Sequence, residues 1–112
     1  MSYSCFNAYK IMWLFCLFDL PTNTKSQRKR ASDFRKSLIE DGFEMMQFSV
    51  YYRHCASMED CEKHIVRIRK IIPYEGKVSI LKFTDKQFGD IETYLGKTIE
   101  KKRKEVLQFE FF

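Results

Sequence analysis

Asp19 ends an apolar run, Ile11-Met12-Trp13-Leu14-Phe15-Cys16-Leu17-Phe18, and is followed at once by a turn, Leu20-Pro21-Thr22. A carboxylate placed where an apolar strand leaves the core can hold a hard cation, Mg2+ or Mn2+, through oxygen. Such a cation polarises a phosphodiester and lowers the pKa of its bound water. A single carboxylate is a poor site for it. Two copies of Asp19 facing each other in a two-fold dimer would share one metal. An Asp before Leu-Pro-Thr is also well suited to an Asx turn, and residue types alone leave both roles open.

The cations form a second group of candidates. Lys25, Arg28, Lys29, Arg30 and Arg35 crowd one stretch, with Arg28 and Arg35 seven apart and so on one helix face. Arg67, Arg69 and Lys70 make another cluster, and Lys101, Lys102, Arg103 and Lys104 a third. Such residues are commonly a solvated surface, but three clusters in one small domain favour phosphate contacts that weaken with salt. The formal charge of +5 and the pI of about 9.0 point the same way, to a polyanion, nucleic acid before an anionic membrane surface.

His54, Cys55, Cys61 and His64 are the remaining metal-ligand types close in sequence. Their spacing matches no zinc template. Cys61 fits an apolar helix stripe, and His64 reads as surface. The glycines, scattered at 42, 76, 89 and 96, make no phosphate loop, no Gly-x-Ser-x-Gly elbow occurs, and two histidines are too few for a His-dense hydrolase.

The elements that must position these residues follow from periodicity. The apolar run is far shorter than the roughly 20 residues of a membrane span and reads as a strand over 11–18, buried on both faces. Thr24 with Gln27 has capping-box spacing, Ala31, Phe34 and Leu38 form a stripe, and Gly42 stops the helix, giving a span of about 25–41. In 43–54 the apolar parity switches near Gln47, from Phe43 and Met45 to Phe48, Val50 and Tyr52, which predicts a bulge or two short strands with a kink. Ser57 with Asp60 caps a second helix carrying Met58, Cys61, Ile65, Ile68 and Ile72 and ended by Pro73. A strand follows over 78–84, then an ambiguous stretch over 86–95, a basic connector over 97–104, and an alternating terminal strand over 107–111.

With 112 residues, 45% hydrophobic and 31% charged, the chain is one globular domain: a core over 1–96 and a connector with terminal strand over 97–112. The order of elements predicts an α+β, ferredoxin-like βαββαβ fold with both helices on one sheet face and an extra C-terminal strand. The Phe-rich terminal strand is an aggregation hazard unless paired, and a homodimer in which it adds to a twin's sheet edge would remove the hazard. No signal peptide is read at the N-terminus and no Cys-x-x-Cys pair occurs, so the expected compartment is the cytosol, with reduced thiols.

Three stretches together carry a resemblance. Trp13-Leu14-Phe15-Cys16-Leu17-Phe18-Asp19-Leu20-Pro21-Thr22 resembles the first strand and loop of the CRISPR-associated "Cas-two" family. Asp41-Gly42-Phe43-Glu44-Met45-Met46-Gln47-Phe48-Ser49-Val50-Tyr51 resembles its second signature, and Thr84-Asp85-Lys86-Gln87-Phe88 a third found in versions accompanying type II systems. The resemblance implies a ferredoxin-like homodimer working in spacer acquisition, bridging dimers of the CRISPR-associated integrase ("Cas-one") with double-stranded protospacer DNA across it. It also implies metal-dependent nuclease or endoribonuclease capability, with the family's metal-binding aspartate falling on Asp19. A longer loop precedes the first helix here, so Arg28 and Arg30 align approximately and are kept as phosphate contacts. The part after Gly96 follows no family motif.

Two function classes emerge. One is a DNA-binding adaptor in an integration complex. The other is a nuclease acting on phosphodiesters, including a toxin-like RNase that works without the integrase. One oxygen-rich residue per subunit makes a strong nuclease hard to build, which ranks the adaptor first.

Overall fold

The computed structural model describes residues 10–99. Four antiparallel strands form the main sheet: β1 Ile11–Asp19, β2 Glu44–Gln47, β3 Val50–His54 and β4 Lys77–Thr84, in spatial order β2-β3-β1-β4. Helix α1 is Lys25–Glu40 and α2 is Met58–Ile71, with a short α3 at Asp85–Gly89 and a small hairpin of β5 Tyr94–Leu95 and β6 Thr98–Ile99. This is the expected βαββαβ arrangement, with β1 central and flanked by β3 and β4. The terminal strand expected over 107–111 lies outside the described residues.

The local signals explain the elements. Thr24 accepts from the Gln27 backbone N–H at 3.1 Å while Gln27 Oε1 accepts from the Thr24 N–H at 3.0 Å, the reciprocal box that satisfies two orphan donors of α1. Ala31, Phe34 and Leu38 are buried, as their spacing requires. Gly42 takes φ +90 just past the Asp41 cap, a conformation costly for any side chain. Pro73 holds Ile72 in an extended conformation and ends α2.

Each face of the sheet carries its own core. On the helix face, Leu14, Cys16, Phe18 and Tyr51 meet Phe34 and Leu38 of α1 and Cys61, Ile65 and Ile68 of α2. On the other face Trp13 and Phe15 gather with Phe88, and the partly buried Leu17, Met46, Val50, Tyr52, Leu81 and Phe83 surround them. Hence β1 is apolar in both parities, as a strand covered on both sides must be.

Two short strands meet at the parity switch near Gln47, as expected: β2 and β3 pair antiparallel around Phe48-Ser49, with Ser49 at φ 64 and a register shift between Met45 and Gln47. Consequently Tyr51 fills the helix-side core, Val50 and Tyr52 face the other side, and Phe48 is 80% exposed in the turn. The connector begins with a hairpin, Gly96 supplying the positive φ that a tight two-residue turn requires. His64, read as surface, is buried.

Candidate nucleic-acid interface

Asp19 is the last residue of β1, exposed, and on the same strand parity as Trp13, Phe15 and Leu17. It therefore stands at one end of the sheet face opposite the helices. Lys77 of β4 is its cross-strand partner; the next rows are Ser79–Leu17–Val50 and Leu81–Phe15–Tyr52.

Helix α3 covers the far end of this face. Phe88 stacks on Trp13 with ring centroids 3.6 Å apart and planes 7° from parallel, and the Trp13 indole N–H donates to Asp85 Oδ1 at 2.6 Å. The third sequence signature is thus a cap over Trp13, built on a second capping box between Thr84 and Gln87. Helix α3 therefore sits over the Trp13 end, while Leu17 and Val50 nearer Asp19 are only partly buried.

The sequence-predicted cations do not form one uncommitted tract. Arg28 donates to the Thr22 and Asn23 carbonyls at 3.1 and 3.3 Å and so shapes the loop before α1. Arg30 pairs with Glu75 at 2.9 Å, Lys29 with Asp33 at 3.0 Å and Arg67 with Asp41 at 2.6 Å. Lys25 and Arg35 lie on α1 without an ion-pair partner among the described residues. Lys102 and Arg103 lie outside the described residues. The exposed pairs are individually weak, worth about 0–1 kcal/mol, so a phosphate can compete for their cations.

The zinc-type residues separate. His54 packs edge-on against Trp13, on the face away from the helices. Cys55 and Cys61 are buried between β3 and α2, and burial pushes the Cys55 thiol up to about 12. His64 lies between two carboxylates, with Nδ1 2.6 Å from Asp41 Oδ2 and Nε2 3.4 Å from Asp60 Oδ1. Sequence reasoning missed this network, although position 64 falls on the buried stripe of Cys61, Ile65 and Ile68. Arg53 joins it from β3, donating to the Asp41 carbonyl at 2.5 Å.

The donor set around Asp19 is one carboxylate beside a lysine. Among the described residues no three His, Cys, Asp or Glu side chains gather into a metal site. The described residues of one chain do not fit a resident divalent cation. Among the same residues, no helix is long and apolar enough to cross a membrane.

A family model described as CRISPR associated protein Cas2 matches residues 12–91. The chain is 47% identical over 110 residues to a protein of Flavobacterium psychrophilum named CRISPR-associated endoribonuclease Cas2, covering 98% of this chain and 96% of that one. It is 54% identical over 86 residues to a protein of the same name from Parvibaculum lavamentivorans, covering 77% and 85%. A solved structure titled "Crystal structure of cas2" superposes with a TM-score of 0.55 at 17% identity, over 80% of this chain and 91% of that chain, a likeness of fold. With its three sequence signatures set on one βαββαβ sheet, the chain belongs to the CRISPR-associated Cas2 family.

Proposed function

We propose that two copies of this chain join through the sheet face opposite the helices and form a basic plate that carries double-stranded protospacer DNA in spacer acquisition, bridging dimers of the CRISPR-associated integrase. One observation carries the reading. Helix α3 caps the Trp13 end of that face, whereas the apolar Leu17 and Val50 beside Asp19 are only partly buried. Apolar area left open in this way gains about 25 cal/mol per Å2 when a partner covers it. A second copy related by a two-fold axis would bring the same apolar patch against it. The net charge of +5 per chain doubles in the dimer and favours a duplex backbone. Among the described residues no element suits groove readout, so binding is expected to be blind to base sequence.

A second reading is phosphodiester cleavage, by the dimer alone, of RNA or DNA. It is favoured by the exposed position of Asp19 at the strand end and by the endoribonuclease name of the relatives. Mg2+ or Mn2+ would need the Asp19 carboxylates of both copies, and would supply Lewis-acid polarisation of the phosphodiester when bound.

Co-purification with the integrase and labelled duplex, with wild type and Asp19→Ala in parallel, separates the readings. An adaptor retains dimer, duplex and spacer acquisition in the variant. Loss of acquisition with the complex intact would make cleavage the working function. RNA cleavage by the purified chain without integrase, abolished in Asp19→Ala, would favour the independent RNase.

A further inference from the structure

Lys77 is the cross-strand partner of Asp19 and the first residue of β4. Residues directly opposed in an antiparallel ladder point to the same face, with Cβ atoms about 4.5–5.5 Å apart. Both side chains are exposed, and among the described residues neither takes an ion-pair partner. Many neighbouring cations are committed, as Arg28, Lys29, Arg30 and Arg67 are.

The backbone fixes where Lys77 stands. At Gly76, φ is +95, and an added Cβ would lie 2.7 Å from the Asp19 carbonyl oxygen and 3.0 Å from Leu20 Cα. These are backbone obstacles, so only glycine lets β4 begin this close to the end of β1. One residue earlier, Glu75 accepts from Arg30 at 2.9 Å and lies 3.4 Å from Gln27 Nε2, which ties the same turn to α1.

A phosphodiester approaching Asp19 meets a like charge. An ammonium on the same face cancels that repulsion and supplies donors to the non-bridging oxygens. We infer that Lys77 is a phosphate-contact residue in the end row of the sheet, beyond the Leu17–Val50 patch that a second copy would cover, so that each chain offers a nucleic-acid backbone an ammonium beside the Asp19 carboxylate without needing a metal. This rests on the proposal that the dimer carries a nucleic-acid duplex.

The test is fluorescence anisotropy of a labelled DNA duplex with the full chain, in EDTA, across a salt series. Wild type is compared with Lys77→Met, Lys77→Arg and the double variant Asp19→Asn/Lys77→Met. Lys77→Met is expected to weaken binding about three- to tenfold and to lower the slope of log K against log salt by about one for each chain in contact. Lys77→Arg should keep both, and the double variant should recover part of the loss because the repelling carboxylate is gone. Wild-type affinity and slope in Lys77→Met would overturn the inference and leave an edge-strand lysine that only discourages sheet pairing. A wild type that ignores duplex, or binds it with no salt dependence, would instead sink the duplex reading itself, and this inference with it.

Discussion

Trp13 and Phe88 lie face to face, ring centroids 3.6 Å apart, and this stack fastens α3 over one end of the sheet face opposite the helices. The contact decides how much of that face is left for a partner. The indole N–H is satisfied by Asp85 at 2.6 Å, so the aromatic cluster closes with no orphan donor. Replacing Phe88 by Ala should cost about 3–5 kcal/mol. Asp85→Ala, which leaves the indole N–H unpaired, should cost about 1–3 kcal/mol. Urea unfolding followed by the emission of Trp13, the single tryptophan, measures both.

His64 joins the turn after α1 to the first turn of α2 through Asp41 and Asp60. With its side chain 5% exposed, truncation leaves two partly buried carboxylates short of a partner. His64→Ala should destabilise the fold by about 2–3 kcal/mol, whereas Lys63→Ala, one residue away in an exposed pair, should change stability by less than about 1 kcal/mol. Chemical denaturation of both variants makes the comparison.

The Ala56 N–H donated to Asp60 holds that carboxyl below its ordinary value, with Lys63 and His64 adding to the effect against some desolvation. A carboxyl whose pKa is lowered on folding contributes stability above its unfolded pKa, near 4, and loses it as pH falls through the folded value. Asp60→Asn should therefore be less stable than wild type at pH 7, and the gap should narrow as pH falls through the carboxyl's lowered range. A stability series from pH 7 to acid, run on both proteins, tests the sign.

Burial pushes the thiols of Cys16 and Cys55 up to about 12. The thiolate is the reactive species, so neither should be modified in the folded protein near pH 8. Peptide mapping after brief treatment with a thiol reagent should find Cys16, Cys55 and Cys61 unmodified natively and all three labelled in denaturant. Native labelling of Cys16 would mean that the strand opens far more readily than its burial implies.

The helices were legible because their caps and stripes agree: Thr24 with Gln27, Ser57 with Asp60, and the buried positions 34, 38, 61, 65 and 68. The 43–54 region was harder. Both faces of the sheet are apolar, so alternation no longer tells which side a residue takes, and Tyr51 and Tyr52 both find burial on opposite sides. His64 hid behind its polarity, because two carboxylates from distant positions make its burial affordable. Asp19 was visible as a charge at a strand end. Its pairing with Lys77 was not, because register between β1 and β4 depends on a long-range contact no local pattern encodes.

Sedimentation of the purified chain, beside Leu17→Glu, tests most directly whether a second copy covers the open face. The account predicts wild type at twice the 13.5 kDa chain mass and Leu17→Glu at 13.5 kDa with an unchanged far-UV spectrum and weakened duplex binding. Wild type sedimenting as a single chain, or Leu17→Glu remaining dimeric with full duplex affinity, would contradict it.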